Sequence, residues 1–283
     1  MVAFASLLFL TGITIILFKE SLPLFQKVKF FDFIFGKAWY PTYELPEFGI
    51  LPLILASVLV TIGALFVCVP LGIGSALYIH ELAGPKQKSI LKPTIEILAS
   101  IPSIVFGFFA MAIMAPFLQK LLHIPVGLCA FTASLVLGIM AVPTVCSIAE
   151  DALSYVPKSF KEASLAVGAN RWQTLIRVVI PAAGSGISTA IILGMSRAIG
   201  ETMTVLMAAG GAAIIPSKLS DLFAPVRPMT ATIAAEMGEA AMGGLHYHAL
   251  FAIGLILFIV TFVFNIIAEL ISRKFRLKLG LSG

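Results

Sequence analysis

Six long apolar runs constrain the fold of this chain more than any other feature. A helix needs about 20 apolar residues to cross the hydrocarbon core of a bilayer, and each run is close to or above that length. Only 12% of the 283 residues are charged, whereas a soluble domain would carry about 25%, and no soluble domain of useful size fits between the runs. The sequence therefore predicts an all-α integral membrane protein with one transmembrane domain over residues 1–283. Its six predicted transmembrane helices cover residues 2–18, 49–79, 93–118, 125–149, 187–211 and 249–268.

Three smaller observations follow from the same runs. The first run has no basic leader and no small-residue cleavage site, which predicts a retained helix rather than a signal peptide. Residues 19–48 are rich in aromatic side chains, as is typical of a segment at the membrane interface. The three cysteines lie in apolar runs without disulfide or metal spacing, so we expect buried thiols at Cys68, Cys129 and Cys146.

The basic residues predict the orientation. Six helices place both chain ends on one side of the membrane, and loops rich in Lys and Arg stay in the cytoplasm. The segments 80–93, 150–186 and the C-terminal segment together hold eleven such residues, whereas the opposite loops hold seven. We therefore expect both termini and the 150–186 segment to be cytoplasmic. The eleven are Lys86, Lys88, Lys92, Lys158, Lys161, Arg171, Arg177, Arg273, Lys274, Arg276 and Lys278, and the seven are Lys19, Lys27, Lys29, Lys37, Lys120, Lys218 and Arg227.

The 150–186 segment contains a polar, helix-forming stretch, SFKEASLAVGANRWQTLIRVVIP, at residues 159–181. Glu162, Leu165, Ala166 and Ala169 have the i, i+3, i+4, i+7 spacing of one helix face. Gly168 and Asn170 then interrupt the pattern. The spacing predicts a short helix, a glycine turn and a second short helix, which together we call the knob (residues 159–181). Pattern alone leaves open an ordinary loop between membrane spans.

The knob also resembles the EAA loop of ABC-importer permeases. The matching residues are Glu162-Ala163-Ser164, Gly168 six positions after Glu162, and Val178 to Pro181, with Ser164 and Val178 as small departures from the family pattern. This resemblance implies a type I ABC importer permease fold (MetI-like). It also implies that Glu162, Ala163, Ser164 and Gly168 couple the chain to a separate cytoplasmic ATPase subunit. The chain itself has no Walker-type loop, so we expect a transport subunit rather than an enzyme.

Arg197 and Glu201 are the only charged residues well inside a predicted transmembrane helix. A lone charge near the bilayer centre costs at least about 2.5 kcal/mol, and the i, i+4 spacing lets the two side chains meet on one helix face. One interpretation is an ion pair that fixes helix packing, helped by close approach at Gly194 and Gly200. We favour a charged lining for an aqueous path, in which Arg197 offers a donor fork to an anion and Glu201 limits how tightly that anion binds. Hydroxyl groups in membrane helices more often bond to their own backbone. The nearby Ser196, Thr202 and Thr204 therefore rank below Arg197 and Glu201 as candidate path residues.

The connection between the last two apolar runs, residues 212–248, gives weaker signals. Its MTATIAAEMGEAA stretch is typical of a helix. His246 and His248 are two residues apart, which is a weak metal signal, and we expect surface histidines instead. The sequence therefore predicts no metal site.

Further stretches resemble the phosphate-uptake (Pst) branch of these permeases, and its C-type subunit in particular. The resemblance implies a subunit of an ATP-driven importer of inorganic phosphate, without cofactors, in a bacterial or archaeal inner membrane. It implies a second homologous permease subunit, two ATPase subunits and an extracytoplasmic phosphate-binding protein as partners, and phosphate passage at Arg197 and Glu201. The stretches are Phe35–Thr42, Phe48–Ile54, Val69–Ala83, Leu91–Phe108 and Ser196–Met203.

Three alternatives remain at this point. A permease for sulfate or molybdate would also use an Arg-lined path. An intramembrane lipid-modifying enzyme could use Glu201 as acid or base, but no Asp, His or Cys cluster lies near it in sequence. A signalling role toward a sensor kinase would be additional to transport.

Overall fold

The computed structural model describes residues 2–278, with side chains described except at positions 2–4, 219, 268, 271, 272 and 274–278. Three of the basic residues counted above, Lys274, Arg276 and Lys278, lie outside the described side chains. Within the described chain, five helices are long and apolar enough to cross a membrane, and a bent pair of helices adds a sixth if it counts as one broken span. The five are Ala5–Phe25, Leu51–Leu82, Ser103–Leu122, Ala130–Ser154 and Leu245–Ile267, and the pair is Arg171–Ala182 with Gly184–Ile199, bent by 68°. The predicted fold class is confirmed.

The first half of the chain contains one long N-terminal helix, a small hairpin and several membrane-length helices. Two π-helical segments, Tyr78–Leu82 and Ala110–Met114, continue α3 and join α5 to α6. The elements are α1 (Val2–Phe25), α2 (Phe30–Phe35), β1 (Trp39–Tyr40), β2 (Glu47–Phe48), α3 (Leu51–Leu77), α4 (Pro85–Ala99), α5 (Ser103–Phe109), α6 (Ala115–Leu122) and α7 (Ala130–Ser154).

The second half begins with short helices and ends with the longest one. A π-helical segment, Leu175–Val179, joins α9 to α10, and a 3₁₀ turn covers Leu219–Phe223. The elements are α8 (Lys158–Ala166), α9 (Arg171–Thr174), α10 (Ile180–Ala182), α11 (Gly184–Ile199), α12 (Met203–Ala208), α13 (Met229–Glu236) and α14 (Leu245–Lys278).

Two predicted spans differ from the observed helices. The third was expected over 93–118, but α4 ends at Ala99 and a new helix begins at Ser103. Pro102 explains this break, because proline lacks an N–H and disfavours helical geometry in the residue before it. The fifth was expected over 187–211, but α11 ends at Ile199. Gly200 follows it, and glycine is common where helices end.

One compact unit comprises the chain up to Ile62, Ser103–Val136 and Gly200–Phe262. Its core brings together α1, α2, the hairpin, α3, α13 and α14, and Trp39 pairs with Phe48 across the hairpin. Phe33 and Trp39 are fully or almost fully buried in this core. Two aromatic rings of the predicted interfacial segment over 19–48 thus pack inside the protein, whereas Phe30, Phe31 and Phe35 are exposed, and the position of the segment at the membrane interface stays a prediction.

The two histidines belong to the same unit and are also less exposed than expected. His246 Nε2 lies 2.8 Å from Glu236 Oε2, and that carboxylate also accepts hydrogen bonds from Trp39 Nε1 and Arg227 Nη1. His248 Nδ1 lies 2.7 Å from the backbone oxygen of Glu20. Their side chains are only 17% and 14% exposed, so the prediction of surface histidines is wrong. Both lie on α14, where each is held by a different partner.

The other compact unit comprises Gly63–Pro102, Leu137–Ile199 and the chain from Val263 on. Its core is built from small and branched side chains of α3, α7 and α11, with Cys68 and Cys146 among them. Added Cβ atoms at Gly186 and Gly194 would lie 2.3 Å from Ala152 Cβ and 2.6 Å from Val145 Cγ2. Gly194 therefore permits the close helix approach that the sequence predicts, and the neighbour is α7. All three cysteines of the chain are buried free thiols, as predicted.

Candidate functional site: the knob and the Arg197–Glu201 segment

The knob folds as two short helices separated by a glycine turn. After α8, Gly168 adopts φ +89°, a conformation that costs glycine little and other residues more. Asn170 then starts α9 through a capping box: its side chain accepts the Gln173 N–H at 2.8 Å, and the Gln173 side chain accepts the Asn170 N–H at 3.0 Å. The predicted helix, glycine break and second helix are confirmed.

The predicted face of the first helix is one turn too long. Because α8 ends at Ala166, Ala169 lies beyond it, and the shared face includes only Glu162, Leu165 and Ala166. The left-handed backbone at Gly168 explains the difference, since it is incompatible with a continuing helix.

The two sides of α8 differ in what they contact. Glu162 and Ala163 are exposed, whereas Ser164 is partly buried and its Oγ lies 3.0 Å from Thr174 Oγ1. Val167 and Trp172 are also strongly exposed, at 86% and 66%. The exposed residues of the knob therefore include large apolar side chains, one of them aromatic, and exposed groups of this kind are typical of protein-binding sites.

Arg197 lies in the last turn of α11 and is half-buried. Its Nε is a buried atom, and among the described residues it has no hydrogen-bond partner. A buried donor without a partner costs about 1–3 kcal/mol. The guanidinium therefore carries a donor that no described residue satisfies.

Glu201 lies beyond the end of α11, which changes how the segment is interpreted. The prediction that Arg197 and Glu201 share a face of one continuous helix is wrong, because the helix ends between them. Glu201 Oε1 accepts the backbone N–H of Thr204 at 3.3 Å, in the first turn of α12. Its backbone oxygen accepts the Thr230 hydroxyl at 2.7 Å. Glu201 thus supplies acceptors that hold the chain where the helix is interrupted.

The nearby hydroxyls behave differently from one another. Thr202 Oγ1 lies 3.5 Å from the backbone oxygen of Gly200, two residues away. Ser196 Oγ instead donates to Asn265 Oδ1 on α14 at 2.7 Å. Sequence reasoning missed Asn265, although a single amide in an apolar helix is a recognisable signal.

Sequence reasoning also missed Glu150, which is only 2% exposed in the last turns of α7. Lys88 Nζ and Lys92 Nζ lie 2.7 Å and 2.6 Å from its two oxygens, and Ser154 Oγ donates to it at 3.1 Å. Lys92 also binds Asp151 at 3.0 Å, and its hydrogen bonds to the two carboxylates raise its pKa. The signal was present as an acidic pair at the end of an apolar run, facing lysines spaced i, i+4 on α4.

We expect Glu150→Leu to lower the free energy of unfolding by about 2 kcal/mol, because it removes an acceptor from charge-assisted hydrogen bonds at a buried position. The matched control is Asp151→Asn, whose side chain is 54% exposed and whose ion pair contributes about 0–1 kcal/mol. Thermal unfolding of the detergent-solubilised protein compares the two. Equal shifts for both variants would contradict the structural role of Glu150.

The family comparison connects these features to known proteins. Residues 68–277 match the family model described as "Binding-protein-dependent transport system inner membrane component", and the match includes the knob, Arg197 and Glu201. The chain belongs to this family. It is therefore a multi-pass inner-membrane component of an ABC transport system, a permease subunit rather than an enzyme.

Several curated relatives cover nearly the whole chain. A probable ABC transporter permease protein, YqgH of Bacillus subtilis, is 35% identical over 93% of this chain and 85% of its own length. The phosphate transport system permease protein PstC of Mesorhizobium japonicum is 34% identical over 97% of this chain and 88% of its own. PstC of Haemophilus influenzae is 32% identical over 96% and 90%.

Solved structures show the fold. A bacterial ABC transporter for the acidic polysaccharide alginate aligns with TM-score 0.64 and 15% identity over 96% of this chain and 95% of that one. The MetNI methionine ABC transporter, in an inward-facing conformation, aligns with TM-score 0.58 and 19% identity over 80% and 94%. The fold is that of ABC importer permeases.

Proposed function

We propose that this chain is the C-type transmembrane subunit of an ATP-driven importer of inorganic phosphate. The observation that carries the proposal is the similarity to PstC phosphate permeases, at 32–34% identity over nearly the full length of both proteins. The proposed domain is a single transmembrane domain over residues 1–283, with both termini and the knob in the cytoplasm, as the distribution of basic residues favours.

Arg197 supports an anionic cargo. Its buried Nε without a partner among the described residues is the kind of donor that a phosphate oxygen satisfies, and the planar guanidinium pairs well with tetrahedral oxyanions. In the proposal, phosphate contacts Arg197 during passage. Glu201 limits the affinity by its negative charge, which lets the anion leave.

The exposed surface of the knob supports coupling to a separate ATPase. Glu162, Ala163, Ser164 and Gly168 form the contact with a cytoplasmic ATPase subunit in the proposal, and a second homologous permease and a second ATPase complete the membrane complex. A phosphate-binding protein delivers phosphate from outside. ATP binding closes the ATPase pair and moves the knob, which opens the path outward. Hydrolysis returns it inward, so the nucleotide and the binding protein favour different conformational states.

The test is uptake by intact cells of a strain that lacks this gene, before and after the gene is restored. We expect restoration to recover uptake of radiolabelled phosphate at limiting concentration and to leave sulfate and molybdate uptake unchanged. Recovery of sulfate or molybdate uptake instead would replace phosphate with that oxyanion as the substrate. Recovery of none of the three would contradict import of this class of anions.

A further inference from the structure

An ion pair connects α8 to the C-terminal end of the second membrane-length helix. Lys161 Nζ forms an ion pair with Glu81 Oε2, and Glu81 lies in the π-helical segment that ends the span Leu51–Leu82. The Glu81 side chain is 11% exposed and that of Lys161 is 42% exposed. The pair is therefore shielded from solvent mainly on the Glu81 side.

The position of Lys161 on α8 separates it from Glu162 and Ala163, the exposed α8 residues assigned to the ATPase, whereas Ser164, which is assigned to the same contact, lies on the side of Lys161. Lys161 and Ser164 are partly buried and spaced i, i+3, so they share one side of the helix. Glu162 and Ala163 are exposed. One side of α8 is thus free for a partner, while the other side is held by this chain.

Further polar contacts connect His80, the residue before Glu81, to other helices of the compact unit that contains Gly63–Pro102. His80 Nδ1 lies 3.3 Å from Ser154 Oγ at the end of α7, and Ser154 donates to Glu150. Glu150 in turn binds Lys88 and Lys92 of α4. The segment Tyr78–Leu82, the end of α7 and the first half of α4 are therefore joined by polar contacts, and Lys161–Glu81 is the ion pair, among the described residues, that joins α8 to them.

We propose that the Lys161–Glu81 ion pair transmits movement of the knob to the transmembrane helix that ends at Leu82. Glu81 and Lys161 are positioning residues, since neither contacts the cargo in the proposed mechanism. An ion pair suits this task because a displaced ammonium draws its carboxylate with it, whereas apolar contacts slide more easily. The inference rests on the proposed function, in which the ATPase displaces α8.

The test uses the complete complex in vesicles, with phosphate uptake and ATP hydrolysis measured on the same sample. The variants are Glu81→Gln, Lys161→Gln and the reversed pair Glu81→Lys with Lys161→Glu. The matched control is Lys158→Gln on the same helix, because Lys158 is exposed and has no ion pair among the described residues. Assembly of each complex is checked by size-exclusion chromatography.

We expect each single variant to keep most of its ATP hydrolysis while the phosphate imported per ATP falls about 5- to 10-fold, within the range of ordinary coupling energies. The reversed pair should recover at least half of the phosphate imported per ATP that the single variants lose. The control should import as much phosphate per ATP as the wild type. A merely structural role would lower uptake and hydrolysis in parallel with assembly. That result, or an unchanged ratio in both single variants, would overturn the proposal.

The same experiment separates this inference from the proposed substrate. If the wild-type complex imports sulfate or molybdate but no phosphate, the substrate is wrong, and the ratio measured with that anion still tests the link. If wild-type uptake is coupled to ATP and both single variants remain fully coupled, the link is wrong and the proposed function stands.

Discussion

Arg197→Gln is expected to reduce phosphate uptake by about 10- to 100-fold while the complex still assembles. A charge-assisted hydrogen bond is worth about 1.5–3 kcal/mol, and about 1.4 kcal/mol corresponds to a factor of ten in rate. Glutamine keeps a donor amide but loses the charge and the planar fork. The measurement is phosphate uptake by vesicles that contain the whole complex, with the ATPase rate recorded in parallel.

The control for this variant is Arg273→Gln. Arg273 is an exposed residue of α14 whose side chain pairs with Glu269 one turn away, so the same substitution there should leave uptake near the wild-type rate. Normal uptake by Arg197→Gln would assign Arg197 to helix packing instead of the anion path. Loss of assembly would show that the Arg197 charge is needed for the complex to fold and assemble, before any role in transport.

Glu162→Lys is expected to uncouple ATP hydrolysis from transport, with uptake reduced by at least about tenfold and membrane insertion unchanged. Glu162 is exposed on α8, so the substitution disturbs few contacts within this chain and acts on the surface that we propose as the ATPase contact. Reversal of a charge in a complementary interface costs affinity through like-charge repulsion.

Gly168→Val tests the shape of the same surface. An added Cβ at Gly168 meets no atom within 4 Å, so the strain of the variant comes from the left-handed backbone at φ +89°, which costs at least about 1–2 kcal/mol and is unfavourable for a β-branched residue. We expect the complex to form and the phosphate imported per ATP to fall. The matched control is Gly243→Val outside the knob, because Gly243 also has a left-handed backbone (φ +73°) and an added Cβ there meets no atom within 4 Å. Normal transport by both Glu162→Lys and Gly168→Val would contradict the coupling role of the knob.

Local patterns predicted the fold and the knob well, because their causes lie within short stretches of sequence. Apolar length alone gives membrane helices, and Gly168 followed by Asn170 marks the turn and the start of α9. The buried state of Cys68, Cys129 and Cys146 also follows from their apolar surroundings.

Tertiary contacts were harder to predict, since they join residues far apart in sequence. The Lys161–Glu81 and Lys92–Glu150 pairs bridge 80 and 58 positions, and Trp39 reaches Glu236 across 197. The break after Ile199 was missed because apolar residues resume at Met203 in α12, so the two stretches resemble one run although the helix stops between them. Glu201 is accordingly interpreted as a hydrogen-bond acceptor for Thr204 and Thr230, and no longer as a partner of Arg197 on one helix face.

The most direct test of the central proposal is phosphate accumulation by vesicles that hold the complete wild-type complex and its binding protein. With ATP available to the ATPase, we predict that radiolabelled phosphate accumulates inside above its external concentration. With a non-hydrolysable ATP analogue, we predict no accumulation. Accumulation of another oxyanion but not phosphate, or phosphate entry that is the same with and without hydrolysis, would contradict an ATP-driven phosphate importer.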